Sequence, residues 1–299
     1  MRDQILRELR PRVAALASAG RPPGLAVVLV GNNPASQIYV RGKVKACADL
    51  GIASESLTPP DTISTEELLA LIGDLNWRPD IDGILVQLPL PSQIDTRRVL
   101  LAVSPEKDVD GFHPCNVGNL VAGRPGPRPC TPAGIMELFR QYGIAVAGKR
   151  AVVVGRSDIV GKPMALLLVH AHATVTICHS RTPDLPGVCR EGEILVAAMG
   201  RPAMLTADYI RPGAIVVDVG MNRLSDRAEV ARIFRNSAER LEMLQRKGSV
   251  LVGDVDPMDV QERAAAYTPV PGGVGPLTIS MLMANTVAAA EAKAGPVRC

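Results

Sequence analysis

The stretch Ala151-Val-Val-Val-Gly-Arg-Ser-Asp-Ile-Val-Gly-Lys-Pro163 decides how this chain is read. An apolar, β-branched run meets a glycine turn and then a helical pattern from Pro163 to about Ala171, the succession strand, tight turn, helix. In an α/β sheet this is where backbone amides at a helix N-terminus receive a pyrophosphate. The glycines fall at 155 and 161, with Ser157 and Val160 where a G-x-G-x-x-G fingerprint has its later glycines. On spacing alone an ordinary βα turn therefore stays open as the alternative.

The strand that follows, Ala173-Thr-Val-Thr-Ile-Cys178, runs into His179-Ser-Arg-Thr182. An NAD site carries an acidic residue near that point to hold the ribose hydroxyls. Here Ser180 and Arg181 stand instead, and with Arg156 they suit a ribose phosphate, because guanidinium groups fork onto phosphate oxygens. NADP is therefore expected rather than NAD; the competing view makes Arg181 a solvated loop residue.

Working outward, further β-branched runs lie at Leu25–Val30, Gly83–Leu88, Arg150–Gly155, Glu193–Ala197 and Ala214–Val219. Helical patterns separate them: the opening segment to about Ala19, then Ser36–Gly51, Thr65–Asn76, Pro132–Tyr142 and, at the C-terminus, Leu277–Lys293. Alternation of this kind predicts βαβ units and a mostly parallel sheet, an α/β fold. The Pro- and Gly-rich stretch Ala122-Gly-Arg-Pro-Gly-Pro-Arg-Pro-Cys130 opposes both helix and sheet and marks a boundary near residue 132. Residues Ser225–Lys247 carry Val230, Ile233, Phe234, Ala238, Leu241 and Leu244 at three- and four-residue spacing among Arg and Glu, which predicts one amphipathic surface helix.

The 299 residues carry 33 basic and 30 acidic side chains, a net charge of +3. That balance gives no broad positive field for nucleic acid or an anionic membrane, and eight aromatics leave few stacking platforms. No run approaches the roughly 18 apolar residues of a membrane span, and the charged N-terminus is unlike a signal peptide. Cys47, Cys115, Cys130, Cys178, Cys189 and Cys299 lack paired spacing, as expected of a reduced cytoplasmic chain. Cys47 and Cys178 read as small core residues.

In the first half, Tyr39-Val-Arg-Gly-Lys43 sets a ring and an amine four apart on one helical face, by itself an ordinary surface pair. Gln87 is a polar amide in an otherwise apolar strand, where ligands bind α/β sheets. Asp108 and Asp110 are two acids without further carboxylates or histidines at ligand spacing, so no metal is expected. His170 and His172 read as helix-end residues, and neither His113 nor His179 is assigned a catalytic role.

Together these motifs carry a resemblance. Tyr39-x-x-x-Lys43-x-Lys45, Val86-Gln-Leu-Pro-Leu-Pro91, Pro105-Glu-Lys-Asp-Val-Asp-Gly111, Gly155-Arg-Ser-x-x-Val-Gly-Lys-Pro163, Asp218-Val-Gly-x-Asn222, Gly253-Asp-Val-Asp256 and Pro269-Val-Pro-Gly-Gly-Val-Gly-Pro276 resemble, in order along nearly the whole chain, the bifunctional methylenetetrahydrofolate dehydrogenase/methenyltetrahydrofolate cyclohydrolase family. The resemblance implies two lobes: an N-terminal α/β catalytic, folate-binding lobe (1–132, completed by a returning helix in 276–299) and a Rossmann-type NADP-binding lobe with a parallel sheet (133–275). It implies Lys43 as the catalytic lysine, Gln87 beside it, Asp110 gripping the pterin and Tyr39 packing on folate. Gly155, Arg156, Ser157, Ser180, Arg181, Gly220 and Met221 are the implied NADP contacts; Pro271, Gly272 and Gly275 join Tyr39, Gln87 and Asp110 around the substrate. Tetrahydrofolate one-carbon derivatives, a homodimer and no metal complete the picture. The extra helix at about 226–247 departs from the family, which joins the flanking strands by a short turn. A dehydrogenase without cyclohydrolase activity would more naturally have lost Lys43 or Gln87, and a nucleotide-binding scaffold would have no use for the Tyr39, Lys43, Gln87 and Asp110 set.

Overall fold

The computed structural model describes residues 1–294, so Cys299 lies outside the described residues. The chain forms two compact units, one of residues 1–130 with the C-terminal helix from Leu277, the other of Thr131–Pro276.

In the first unit the elements alternate: α1 (Arg2–Ser18), β1 (Gly24–Val28), α2 (Pro34–Leu50), β2 (Ala53–Leu57), α3 (Thr65–Trp77), β3 (Gly83–Val86), α4 (Thr96–Ala102) and α5 (Pro114–Val121). The three strands are parallel in the order β2-β1-β3. β1 and β3 are buried throughout, which is why both read as unbroken apolar runs. α3 starts on a capping box, with Ser64 and Glu67 exchanging side chain to backbone hydrogen bonds. From there it lays Leu68, Ile72 and Leu75 against Ala26, Val28, Ile84 and Val86. It ends at Trp77, the only tryptophan in the chain, which is 89% exposed.

The second unit contains α6 (Cys130–Gln141), β4 (Arg150–Val154), α7 (Gly161–His170), β5 (Thr174–Cys178), α8 (Leu185–Arg190), β6 (Ile194–Ala197), β7 (Ile215–Asp218), β8 (Asn222–Leu224), α9 (Arg227–Ile233), α10 (Ala238–Lys247), β9 (Val250–Val252), α11 (Asp259–Arg263) and β10 (Ala266–Tyr267). Five parallel strands run in the order β10-β7-β6-β4-β5. Strand order reverses beside β4, which leads to β5 on one side while the chain returns to β6 on the other; ligands of open α/β sheets bind outside such a switch point. The final helix, α12 (Gly275–Ala294), returns to the first unit and buries Leu277, Leu282, Met283, Val287 and Ala290.

The six expected strands are all present. Four further strands escape the apolar pattern: β2 is the half-polar ASESL, β10 has two residues, and β8 and β9 have three each. The single helix expected over 225–247 is corrected to two. α9 and α10 are separated at Phe234–Ser237, where Arg235 and Asn236 take left-handed backbone conformations (φ 48° and 59°) that no helix accommodates. The pair folds over a small core of Leu224, Val230, Ile233, Phe234, Leu244, Val250 and Val252, shared with Ala203 of the segment after β6, at the tip of the antiparallel β8–β9 hairpin.

Candidate active and dinucleotide sites

In the first unit the chemistry gathers at the C-terminal ends of β1 and β3. Asn33 accepts a hydrogen bond from the Ser36 amide, and with Pro34 at the first position it starts α2 cleanly. One turn further in, Tyr39 is 40% exposed and Lys43 only 9%. The Lys43 ammonium donates to Gln87 Oε1 at 2.9 Å, while Gln87 Nε2 donates to the Leu88 carbonyl at 2.7 Å. The second bond fixes which end of the amide faces the lysine. Gln87 lies one residue beyond β3 rather than inside it, which corrects the sequence reading. Its backbone N–H still donates to Val28 at 2.9 Å, extending the β1 register to the site.

Asp108 and Asp110 divide their labour. The Asp108 carboxylate accepts from the amides of Gly111 and His113 and from Asn116 Nδ2 at 2.7–3.1 Å, so it shapes the loop. Among the described residues no hydrogen bond reaches the Asp110 carboxylate. Burial pushes its carboxyl up to about 6; the Lys43 charge pulls it down and the Asp108 charge pushes it up. Lys43, Gln87 and Asp110 thus form one electrostatic neighbourhood. It includes the Cys130 thiol, which burial first and the Asp110 charge second hold well above its ordinary value. Asn285 of α12, which sequence reasoning missed, donates to the carbonyls of Val109 and Arg128 at 2.8 and 2.9 Å and so pins the Asp110 loop from the returning helix. A separate cavity of about 740 Å³, lined by residues including Trp77, Lys107 and Ala288, contains none of these catalytic candidates.

In the second unit the expected cofactor residues converge on the C-terminal end of the sheet. Gly155 follows β4 with φ 128°, and a Cβ there would stand 2.1 Å from the Ala198 carbonyl oxygen. Gly161 packs as closely, its hypothetical Cβ 2.2 Å from the Gly155 oxygen, and so takes the close-packing role of a third fingerprint glycine one position late. Ser157 Oγ accepts from the amides of Val160 and Gly161 at the start of α7. After β5, the Arg181 amide donates to His179 Nδ1 and the His179 amide to Thr182 Oγ1; this turn leaves Ser180 and Arg181 exposed, as Arg156 is. Gly220 and Met221 follow β7 and share a small recess with Pro271, Gly272 and Gly275.

A parallel sheet with a glycine turn leading into a helix and exposed arginines, joined in one chain to a lysine–glutamine–aspartate set whose lysine is buried, defines a dinucleotide-dependent enzyme. The family model described as tetrahydrofolate dehydrogenase/cyclohydrolase, NAD(P)-binding domain, matches residues 129–294, and the corresponding catalytic-domain model matches 1–110. The chain is 70% identical over 295 residues to the "Bifunctional protein FolD" of Solibacter usitatus (99% of this chain, 96% of the relative) and 63% identical to that of Koribacter versatilis (98% and 95%). Among solved structures it resembles the Campylobacter jejuni bifunctional FolD (TM-score 0.87, 44% identity, 97% of this chain and 95% of that one). It is similarly close to the Trypanosoma brucei enzyme complexed with NADP and inhibitor (TM-score 0.86, 40% identity, 97% and 94%). The chain belongs to the tetrahydrofolate dehydrogenase/cyclohydrolase family.

Proposed function

We propose that the chain carries out two consecutive reactions on one folate carrier: oxidation of 5,10-methylenetetrahydrofolate with NADP, then hydrolysis of the 5,10-methenyl product to 10-formyltetrahydrofolate. The observation that carries this reading is the Lys43–Gln87 hydrogen bond beside Asp110 at the end of β1 and β3.

In the first step the methylene carbon, flanked by two nitrogens, gives up a hydride and becomes a cationic bridge; NADP, when bound, supplies the hydride acceptor. The protein's task there is orientation. Asp110 holds the pterin, and Tyr39, exposed one helical turn from Lys43, packs on the folate. In the second step water adds to the cationic bridge carbon and loses both of its protons as the formyl carbonyl forms; the bond from that carbon to N5 breaks, one proton goes to N5 and the other is released to solvent. Lys43 Nζ, aimed by Gln87, handles the water proton. Gly155, Arg156, Ser157, Ser180, Arg181, Gly220 and Met221 hold the cofactor, with the arginines on the ribose phosphate, and Pro271, Gly272 and Gly275 complete the substrate side. In domain terms, the unit of residues 1–130 with α12 binds folate and Thr131–Pro276 binds NADP.

The enzyme works as a homodimer on small molecules rather than nucleic acid. β5 supports the dimer, because it is a sheet edge with Ile177 42% exposed, and Val169 of α7 is 51% exposed. The free thiols of Cys47, Cys115, Cys130, Cys178 and Cys189 suit the reducing cytoplasm, and among the described residues no helix is long and apolar enough to cross a membrane.

A coupled assay that follows NADPH formation and then the decay of methenyl absorbance tests both steps. Lys43→Met should lower the hydrolytic step by on the order of 10²–10⁴ while NADP binding persists. Full cyclohydrolase activity in that variant would overturn the assignment of Lys43.

A further inference from the structure

Two acids of the second unit stand directly beneath the segments that receive the nucleotide. Asp254, fully buried, accepts four hydrogen bonds: Met199 and Gly200 amides on Oδ2 at 2.7 and 2.9 Å, and the Arg201 amide and Asn222 Nδ2 on Oδ1 at 2.8 and 2.9 Å. Asp218 accepts three, from the amides of Gly220, Asp254 and Val255, each at 2.9 Å. The backbone of Asp218 is tied in turn to Thr268 Oγ1, at the root of the loop that leads to Pro271–Gly275. The loops after β6 and β7 at the C-terminal end of the sheet therefore hang on one pair of carboxylates, and the segment after β10 hangs on the Asp218 backbone. The glycines beside them exist for the same reason: a Cβ on Gly253 would lie 1.8 Å from Asp218 Oδ2, and one on Gly220 2.4 Å from both the amide nitrogen and Oδ1 of Asp254.

We infer that Asp254 is a positioning residue for the oxidative step, setting the Met199–Arg201 loop and, through Asp218 and Asn222, the Gly220–Met221 segment in the shape that admits the nucleotide. The inference rests on the nucleotide reading of this unit. It is a claim about geometry, since a carboxylate with no free lone pair toward solvent cannot touch the substrate. An ionised acid is the one side chain that offers acceptors to four donors and nothing else. In Asp254→Asn one oxygen becomes an NH₂ group that must face either two backbone N–H groups or an N–H and the Asn222 amide. The damage is confined to the cofactor side, because Lys43, Gln87 and Asp110 belong to the other unit.

The hydrolytic step needs no NADP, so cyclohydrolase activity on supplied methenyltetrahydrofolate is an internal control for folding. Asp254→Asn is expected to weaken NADP binding by about ten- to a hundredfold, the scale of losing one or two charge-assisted hydrogen bonds. The KM for NADP should rise correspondingly, with the cyclohydrolase rate unchanged. Asn222→Ala, which removes a half-buried amide that donates to Asp254 Oδ1 at 2.9 Å and to the Gly253 carbonyl at 3.2 Å, should move NADP affinity the same way by less. Unchanged NADP affinity in both single variants, or a parallel fall of both activities, would overturn the inference. Wild-type protein that fails to reduce NADP would refute the functional reading instead, and the two failures are distinct.

Discussion

Asp110 is where a single side chain sets the pH response. Its carboxyl titrates at about 6 because burial outweighs the attraction of Lys43. If the ionised form grips the pterin, the acid limb of the dehydrogenase profile should fall as pH drops through about 6, and Asp110→Asn should flatten that limb. Folate binding should weaken while NADP binding is kept. The linkage has a definite sign. The folded carboxyl holds its proton more tightly than the unfolded one, whose ordinary value is 3.8. Ionisation of Asp110 therefore costs stability above about pH 6, and the cost disappears as pH falls toward 3.8. Asp110→Asn should accordingly melt higher than wild type at pH 8, with the gain vanishing near pH 4. Gly155 gives a prediction of the opposite kind. Gly155→Ala combines a left-handed φ with a Cβ 2.1 Å from a carbonyl oxygen, so NADP binding should be lost together with thermal stability.

Among the elements, the α9–α10 pair is the clearest case of an addition that leaves the core intact. It sits beyond the Leu224–Val250 pair that closes the hairpin and is held to α11 by Arg235, which meets Asp259 at 2.7 Å and Glu262 at 3.0 Å. These ion pairs are half-exposed and worth little individually. Replacing residues 225–249 by a two-residue Asn-Gly turn should leave both activities in place, because Asn222 and Gly253 lie on the sheet side of the excision; loss of cyclohydrolase activity would show that the pair does more than cover the hairpin. The same elements mark how far the sequence could be read. β1, β3, β4, β6 and β7 were legible because buried parallel strands spell continuous apolar runs. β2 was not, since its polar residues fall on both faces of an edge strand, Ser54 and Ser56 exposed on one and Glu55 half-buried on the other. The split between α9 and α10 was hidden because Arg235 and Asn236 keep the polar half of a helical pattern while leaving helical backbone. The Lys43–Gln87 pairing was expected only from resemblance. Asn285 had no local signal, and Asp254, although inside the Gly253-Asp-Val-Asp256 motif, had none for its role, since each acts on backbone groups far away in sequence.

For the molecule as a whole, the chain leaves its first unit near Cys130 and re-enters at Leu277. The return is fastened by burial of Leu282, Met283 and Val287, by the Arg12–Glu291 fork and by Lys293 on the Pro79 carbonyl. Leu282→Ala should cost about 2–5 kcal/mol and lower the melting of the first unit, leaving the fold of Thr131–Pro276 intact. Light scattering should give twice the 31.6 kDa chain mass, and Ile177→Lys on the β5 edge should reduce it to the monomer.

Trp77 gives the two units unequal visibility. As the sole indole, 89% exposed and borne by the first unit, it makes selectively excited emission a probe of one surface only. Native protein should already emit at the red end of the tryptophan range and be quenched freely by acrylamide. Unfolding of Thr131–Pro276 should pass unseen by that signal, so any blue shift marks something coming to rest on the C-terminal end of α3.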